Sequence, residues 1–359
     1  MAASRSKIKD FVFGQNVLMR IIRTRRSCAT LLTALVAVLA LVTPVHPATS
    51  GAAPGDPVAA ALVVEPAVAR IDTEIYYQNA IGNGAGIVLD PNGQVMTNFH
   101  VVGGADRITV AVAGRAFPAE LVGYDRRRDI AVLQLLGASG LPVAPIGDSG
   151  ALVEGEPVVA LGNAQGSNAP LTQEVGTITG FGRTVNAEDA LTGSKDELTG
   201  LIEFAAPVVA GDSGGPVVNG AGQVVGVTTA ASVNFRMGPG GKGFAIPIND
   251  AMAIANQIRS GAASDSVHIG PPVLLGVGVR TAPLDGPGVL VADVLRGGPA
   301  DQAGLVGGDI LTTLDGTPLD SATTLTYVLD RHYPGDVIDL TWIDGSGQQR
   351  TGKVALTPL

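Results

Sequence analysis

Residues 211–216 read Gly-Asp-Ser-Gly-Gly-Pro, and this stretch constrains the fold and the chemistry more than any other part of the chain. A serine hydroxyl becomes an effective nucleophile only beside a base. Its attack on a carbonyl also needs N–H donors aimed at the oxyanion that forms. Glycines around Ser213 permit the tight backbone that could supply those donors. Gly, Asp and Ser are also ordinary turn residues, so the stretch alone leaves a plain surface turn open.

Two upstream residues are candidate partners of Ser213. His100 follows two strand-like runs joined by a Pro-Asn-Gly turn, which predicts a hairpin with the histidine just past its second strand. Asp129 opens the apolar run Ile130–Leu135. Each residue has a plain reading, as a turn or core histidine and as a solvated strand end. The order His100, Asp129, Ser213 also fits a base, an acid that orients it and a nucleophile.

Three segments resemble the catalytic blocks of the HtrA (DegP-like) serine proteases: Thr97–Val102, Asp129–Leu133 and Gly211–Pro216. Val159–Asn163 and Gly243–Pro247 are similar to further blocks of that family. The resemblance runs from about residue 70 to the C-terminus, and the nearest type is the secreted PepA-like protease of actinobacteria.

The resemblance implies a chymotrypsin-like double β-barrel with a defined set of roles. His100 would be the general base, Asp129 its orienting acid and Ser213 the nucleophile, with Asp125 the nearest alternative acid. The backbone N–H groups of Gly211 and Ser213 would form the oxyanion hole. The chain departs from the family at residue 99, where a phenylalanine replaces the second asparagine of many members.

The serine stretch also satisfies G-x-S-x-G, the nucleophile elbow of α/β-hydrolases. That fold requires a helix after the serine and a histidine downstream. Here Pro216–Val218, an Asn-Gly turn and Gln223–Val227 predict a β-hairpin instead. The downstream histidines, His268 and His332, fall in a predicted linker and beside a predicted helix end. The pattern therefore favours the double-barrel alternative.

Strand-like runs recur in two groups, which predicts two packed barrels in a mainly β protease domain over residues 70–259. Asn249-Asp250 predicts the start of a helix that ends near Ile258. The polar, acid-containing segment Asn186–Thr199 predicts an exposed loop. The predicted strands are Ile71–Tyr77, Gly86–Leu89, Gln94–Thr97, Ile108–Val112, Ala119–Val122, Ile130–Leu135, Pro157–Leu161, Val175–Thr179, Leu201–Ala205, Pro216–Val218, Val224–Thr228 and Gly243–Ile246.

Residues 260–270 predict a linker, and residues 271–359 resemble a bacterial PDZ domain of α+β type that folds independently. Such a domain takes an extended peptide as an added strand and captures its terminal carboxylate on loop N–H groups. The predicted peptide-binding loop is Leu274, Leu275, Gly276 and Val277. A purely structural cap is the alternative role of this domain.

Residues 1–50 predict a signal peptide or N-terminal anchor, followed by a flexible leader over 51–69. Seven basic residues precede an uncharged, mostly apolar run from Ala29 to about Val45, and small residues follow. Cleavage would make the protein exported, secreted or cell-envelope; an uncleaved segment would anchor it in the membrane. The only cysteine, Cys28, lies in this region, so the mature chain would form no disulfide.

The chain has a formal net charge of −9, and its acidic balance argues against nucleic acid as a partner. No His/Cys cluster indicates a metal, and no motif indicates another cofactor. The resemblance, together with the N-terminal pattern, implies an exported serine endopeptidase that cleaves unfolded or exposed segments in protein quality control. The alternative is a PDZ-based chaperone or scaffold with a weakly active protease domain. The resemblance implies that Tyr76 and Tyr77 form a homotrimer contact; alternatively, they are core residues.

Overall fold

The computed structural model describes residues 56–76, 80–166, 169–188, 195–229, 241–280 and 288–359. The predicted signal peptide or anchor over residues 1–50 lies outside them. Gly51–Leu359 forms one compact unit. Within the described ranges, no helix has both the length and the apolar character needed to cross a membrane.

The first barrel is a closed antiparallel sheet of six strands in the order β5-β4-β1-β2-β3-β6, and β6 pairs back with β5. A short helix, α2 (Phe99–Val102), follows β3. The six strands are β1 (Val68–Ile75), β2 (Ala80–Val88), β3 (Gln94–Thr97), β4 (Arg107–Val112), β5 (Arg115–Asp125) and β6 (Ile130–Leu135).

The second barrel is also closed, in the order β10-β11-β12-β9-β8-β7. The two barrels confirm the predicted mainly β architecture. Its six strands are β7 (Pro157–Gly162), β8 (Thr172–Glu188), β9 (Lys195–Ala205), β10 (Pro216–Asn219), β11 (Val224–Thr229) and β12 (Gly243–Pro247).

The sequence predicts a flexible leader over residues 51–69, but from Asp56 onward the structure has a capped helix. Helix α1 (Pro57–Val64) begins at the Asp56 cap, whose carboxylate accepts the N–H of Val58 at 3.0 Å. Ala61 and Val64 are fully buried, and a Cβ added at Gly222 of the second barrel would lie 3.2 Å from the Ala60 carbonyl. The buried side of α1 therefore orders the segment, and a short 3-10 helix, Glu65–Ala67, leads from it into β1.

The predicted linker over residues 260–270 also contains ordered structure. Helix α3 (Ile248–Arg259) follows the last strand of the second barrel. It begins one residue before the start that the sequence predicts. After it, β13 (Val267–Ile269) pairs with β5 through His268 and Tyr124, so the chain returns to the first barrel before the C-terminal domain begins. The small polar residues of the segment suggested a free linker, but backbone pairing and burial of His268 fix it.

The two ends of the predicted exposed loop at Asn186–Thr199 are strands that pair with each other. Strand β8 continues to Glu188 and β9 begins at Lys195, in a register that pairs Val185 with Leu198. Those two apolar residues are buried and anchor the extension of the hairpin, which composition alone did not indicate. Residues 189–194 lie outside the described residues.

The C-terminal domain has an α+β fold with its own apolar core. Its main sheet has the order β15-β16-β17-β19-β20, with β15 at one edge. Helix α5 (Ala322–Leu329) contributes Leu325 and Val328 to the core. The only tryptophan of the chain, Trp342, also packs in this core. The other elements are β14 (Val273–Leu274), β15 (Val277–Arg280), β16 (Val289–Val294), α4 (Pro299–Gln302), β17 (Ile310–Leu314), β18 (Thr317–Pro318), β19 (Val337–Ile343), β20 (Gln349–Ala355) and β21 (Thr357–Pro358).

Candidate active site

His100 lies in α2, immediately after β3, as the sequence predicts. Its backbone N–H donates to Oδ1 of Asp129 at 3.0 Å, and its ring Nδ1 lies 2.8 Å from Oδ2 of the same carboxylate. The imidazole is 35% exposed whereas the Asp129 side chain is 7% exposed, so the pair has one open side. This geometry fixes the orientation of the ring through Nδ1.

Asp129 lies in the turn between β5 and β6 with a left-handed backbone (φ 56°), which aspartate tolerates better than most residues. The Asn98 side-chain amide donates to the Asp129 backbone carbonyl at 2.9 Å. Thr229, at the end of β11 in the second barrel, donates its hydroxyl to Oδ2 at 3.2 Å. Sequence reasoning missed Thr229, for which the only signal was a polar residue ending an apolar strand.

Ser213 lies in the turn that leads into β10, and its residue is 4% exposed. Its carbonyl accepts the N–H of Ala85 in β2 at 2.8 Å. A Cβ added at Gly214 would lie 2.3 Å from Oγ1 of Thr97 and 3.1 Å from the Asn98 nitrogen. The residue after Ser213 therefore lies against the segment that leads into His100, so the turn of the second barrel meets the histidine segment of the first.

Asp212 supports the serine turn from inside. Its carboxylate accepts the hydroxyl of Thr172 and, at 2.9 Å, the N–H of Val209. Burial raises the pKa of the Asp212 carboxyl, against the opposing effect of the Thr172 hydroxyl and the backbone amides. A Cβ at Gly162 would lie 2.6 Å from the Asp212 Cα, so the neighbouring strand β7 needs a glycine there. Thr172 was not singled out from the sequence.

Gly211 has a left-handed backbone (φ 98°) and lies against residues 163–164, where an added Cβ would come within 2.6 Å of the Ala164 Cα. The N–H groups of Asp212, Gly214 and Gly215 donate to backbone carbonyls at 2.8 to 3.1 Å. The interleaved N–H groups of Gly211 and Ser213 are the two that the sequence predicts for an oxyanion hole.

Asp125, the alternative acid, has a different set of contacts. Its carboxylate accepts the Ser266 hydroxyl at 2.9 Å and the Arg128 N–H at 3.1 Å. Burial raises the pKa of the Asp125 carboxyl, more than those hydrogen bonds lower it. Asp125 therefore closes the β5–β6 turn and ties it to the segment after α3, whereas Asp129 contacts His100.

The predicted peptide-binding loop is shorter than residues 274–277. Leu274 belongs to β14 and Val277 begins β15, which leaves Leu275 and Gly276 as the connection. Their carbonyls accept the N–H groups of Ala300 and Leu295, both at 2.9 Å. Gly276 has φ 80°, which explains the glycine. Among the described residues, the amide N–H groups of Leu275 and Gly276 have no acceptor.

The turn after Ser213 answers the α/β-hydrolase alternative. A hairpin, β10–β11, follows Ser213, and the elbow of an α/β-hydrolase would have a helix at that place. Within the residues that the structure describes, no group of three or more His, Cys, Asp or Glu side chains could hold a metal ion.

Comparison with protein families gives two matches that follow the two structural parts. A trypsin-like peptidase domain matches residues 84–227, and a PDZ domain matches residues 273–351. The first range contains His100, Asp129 and Ser213, and the second begins at β14.

Three curated relatives extend the similarity over most of the chain. The serine protease PepD of Mycobacterium tuberculosis is 32% identical over 84% of this chain and 66% of its own length. The chloroplastic Protease Do-like 1 of Arabidopsis thaliana is 32% identical over 77% of this chain and 64% of its own. A protein named "Probable periplasmic serine endoprotease DegP-like", from Pseudomonas savastanoi, is 35% identical over 77% and 56%. The chain thus spans between about half and two thirds of the length of these relatives.

Among solved structures, the HtrA-type protease AlgW with a tripeptide is 28% identical over 84% of this chain and 97% of that one, with a TM-score of 0.47. That score adds nothing to the evidence for the fold, which rests on the strand pairing. The paired barrels and the matched domains define a trypsin-like peptidase domain joined to a PDZ domain. With the relatives above, the chain belongs to the HtrA/DegP-like serine proteases.

Proposed function

We propose that the protein is a serine endopeptidase whose catalytic residues are His100, Asp129 and Ser213. The observation that carries the proposal is the His100–Asp129 pair, with 2.8 Å between Nδ1 and Oδ2, beside the turn that holds Ser213. Asp129 keeps the imidazole oriented and stabilises the imidazolium that forms during the reaction.

The proposed reaction proceeds through an acyl-enzyme. The Ser213 Oγ attacks the scissile carbonyl carbon while His100 accepts the hydroxyl proton, and the negative charge develops on the carbonyl oxygen. The N–H groups of Gly211 and Ser213 stabilise that oxyanion. Collapse of the tetrahedral intermediate breaks the C–N bond, and the imidazolium proton passes to the leaving amine. Water then attacks the ester, with His100 again the base, and releases Ser213.

The test is the Ser213→Ala variant with unfolded casein as substrate. We expect hydrolysis to be lost and the unfolding midpoint to be retained, because the variant removes only the nucleophilic oxygen. Ser260→Ala, which removes an exposed hydroxyl at the end of α3, is the matched control and should retain full turnover. Wild-type turnover in Ser213→Ala would contradict the assignment.

Labelling with a fluorophosphonate separates the enzyme from the alternative of a PDZ-based scaffold. This probe reacts only with a serine that is activated by its neighbours. We expect wild-type and Ser260→Ala protein to be labelled, and Ser213→Ala protein to remain unlabelled. A wild-type protein that is folded but unreactive would favour the scaffold.

We further propose that the PDZ domain recruits substrates by their C-termini. The support is the position of β15 at one end of the strand order, together with the amides of Leu275 and Gly276 beside it, which have no acceptor among the described residues. Calorimetry with matched peptides that end in a free acid or an amide tests this proposal. The acid should bind more tightly, and equal affinities would rule out carboxylate capture.

Export to the cell envelope completes the proposal, and a role in protein quality control is carried over from the family resemblance. The support is the basic and apolar N-terminal pattern together with the word periplasmic in the name of one relative. Fractionation of a C-terminally tagged full-length chain tests it, since an exported protein appears outside the cytoplasm. Retention of all tagged protein in the cytoplasm would contradict export.

Self-association as a homotrimer is the last part of the proposal. Tyr76 is 56% exposed and Ile81 is 88% exposed, and they lie at the same end of the β1–β2 pair. Tyr76 is therefore not a core residue, and Tyr77 lies outside the described residues. The adjacency of these two exposed apolar residues is the support for a contact there. Sedimentation of wild-type and Tyr76→Ser, Ile81→Ser double-variant protein should show trimer and monomer, respectively; a wild-type monomer would overturn this part.

A further inference from the structure

Arg126 occupies the turn that presents Asp129. Its backbone carbonyl accepts the Asp129 N–H at 3.2 Å, while the Asp125 carboxylate accepts the Arg128 N–H across the same turn. Asp129 holds a left-handed backbone at the end of this turn, so the direction of its carboxylate depends on how the turn is held.

The side chain of Arg126 leaves the turn and contacts two other parts of the molecule. The guanidinium lies 4.5 Å from the centroid of the Phe99 ring, and Phe99 directly precedes His100. It also makes a two-point contact with Asp330 at the end of α5, with Nε–Oδ2 at 2.7 Å and Nη2–Oδ1 at 3.1 Å. The two charged side chains are only 9% and 14% exposed.

Asp330 is itself held by buried partners. The Tyr124 hydroxyl donates to Oδ1 of Asp330 at 2.7 Å, and Nδ1 of His268 lies 2.9 Å from the Asp330 backbone carbonyl. The rings form one stack, in which Tyr124 lies 4.3 Å from Phe99 and 5.1 Å from His268, and His268 lies 4.5 Å from Tyr333. Tyr124 and His268 are almost completely buried. The contact is therefore a packed interface between the two domains.

We propose that Arg126 is a positioning residue for the His100–Asp129 pair and that Asp330 of the PDZ domain holds it in place. Through its backbone Arg126 closes the Asp129 turn, and through its guanidinium it braces the residue before His100. Loss of either charge leaves the other buried without its opposite charge, and such a group moves toward water. The PDZ domain thus contributes to the geometry of the catalytic pair, an inference that rests on the proposed function.

The test compares full-length Arg126→Gln, Asp330→Asn and the double variant on a short chromogenic peptide. We expect kcat to fall between about 10- and 100-fold, as for small misplacements of catalytic groups, with KM nearly unchanged. The double variant should be no slower than the slower single variant, because both changes remove one contact. Arg126→Lys keeps the charge but not the two-point geometry, and it should be intermediate. Arg331→Gln, an exposed neighbour of Asp330, is the control and should match the wild type.

A second readout does not depend on turnover. In the Ser213→Ala background, the titration of His100 can be followed by NMR, because the chain has only four histidines. We expect its midpoint to move in Arg126→Gln and Asp330→Asn and to stay in Arg331→Gln. Folded variants with unchanged kcat and unchanged titration would overturn the proposal. If Arg126→Gln does not fold, Asp330→Asn decides, since it leaves the protease domain unaltered. A wild-type protein without turnover would refute the proposed function, while the titration would still test Arg126.

Discussion

Asp129 accepts hydrogen bonds from both barrels, and this makes it the most connected residue of the site. Oδ1 receives the His100 backbone N–H, and Oδ2 receives the Thr229 hydroxyl at 3.2 Å and faces the imidazole at 2.8 Å. A carboxylate that holds three groups in place fixes the ring more firmly than a single contact would. The left-handed backbone of Asp129 limits the replacements that test its role to those that tolerate the same conformation.

Asparagine is that replacement, because it also tolerates positive φ. We predict that Asp129→Asn lowers kcat on the order of 10⁴-fold, the magnitude typical of this change in Ser-His-Asp triads, since the amide favours the wrong imidazole tautomer. Steady-state kinetics on a peptide substrate measures the change. Asp125→Asn is the comparison: it should alter stability more than turnover, and an Asp129 variant within about tenfold of the wild type would point to another acid.

Gly214 gives a second prediction at this scale. Its φ is 83°, and an added Cβ would lie 2.2 Å from the Ala85 carbonyl oxygen and 2.3 Å from Oγ1 of Thr97. Gly137, with φ 74° and no atom within 4 Å of an added Cβ, is a matched control, because alanine there would meet only the cost of the positive φ. Gly137→Ala should cost about 1 kcal/mol of unfolding free energy, and Gly214→Ala should cost clearly more and abolish activity.

Urea unfolding of both glycine variants measures these costs, and labelling by a fluorophosphonate measures the state of Ser213. Equal destabilisation of the two variants would mean that the chain near Ser213 relaxes around the methyl group, and the close approach of the two barrels there would be less tight than the structure has it.

The catalytic candidates were predictable because each is embedded in a short contiguous motif. His100, Asp129 and Ser213 each follow or precede a strand-like run, and residue order together with the resemblance to the HtrA blocks suggested their roles. Thr229 and Arg126 were not predictable in this way. Their importance comes from contacts at sequence separations of 100 and 204 residues, with Asp129 and Asp330 respectively, and no local pattern reports such pairs.

The helix and strand that were not predicted are the ones that depend on burial against other parts of the chain. The strand runs of both barrels alternate or are continuously apolar, and the structure has strands there. Helix α1 was missed because its Ala-Val composition, between prolines and glycines, also fits a leader. Strand β13 has only three residues, and it is held by pairing with β5 and not by its own propensity. Elements stabilised mainly by distant partners leave little signal in their own sequence.

The β19–β20 hairpin gives a pH prediction. Asp344 accepts the Ser346 hydroxyl at 2.6 Å, the Arg350 Nε–H at 2.8 Å and the Gln348 N–H at 3.0 Å. These contacts, the Ser346 hydroxyl first, hold the pKa of the Asp344 carboxyl well below its usual range. A lowered pKa in the folded state stabilises the protein above the unfolded value near 4, and the contribution is lost as the pH falls.

We therefore predict that Asp344→Asn lowers the unfolding midpoint at about pH 6 and that the difference from the wild type shrinks as the pH falls toward about 3. Calorimetric melting of the full chain at several pH values measures it. A difference that is constant or grows on acidification would contradict the assigned direction.

At the scale of the whole molecule, the two domains are less independent than the sequence indicates. The Gly/Ala/Ser-rich segment before residue 265 suggested a flexible connection and a self-contained PDZ domain. The structure instead places Asp330 and Tyr333 against Arg126, Tyr124 and His268 of the preceding parts. Burial raises the pKa of Tyr124 well above its ordinary value, which keeps its hydroxyl protonated as the donor to Asp330. Buried polar contacts of this kind tie domains together because each group is costly without its partner.

Deletion of residues 270–359 tests this coupling. The truncated chain retains both closed barrels, so we predict that it folds, but Tyr124, His268 and Arg126 lose their partners across the interface. Its melting temperature should fall by several degrees, as expected for a loss of about 1–2 kcal/mol.

Its kcat on a short peptide should fall by about the factor seen in Asp330→Asn, since both remove the support of Arg126. Adding Arg126→Gln to the truncated chain should then change kcat little. Because Arg331 is absent from this chain, Ser260→Ala serves as the control. Calorimetry and steady-state kinetics on these chains measure the two effects separately. A truncated chain that melts and turns over like the full-length protein would show that the domains act independently and that Arg126 needs no partner from the PDZ domain.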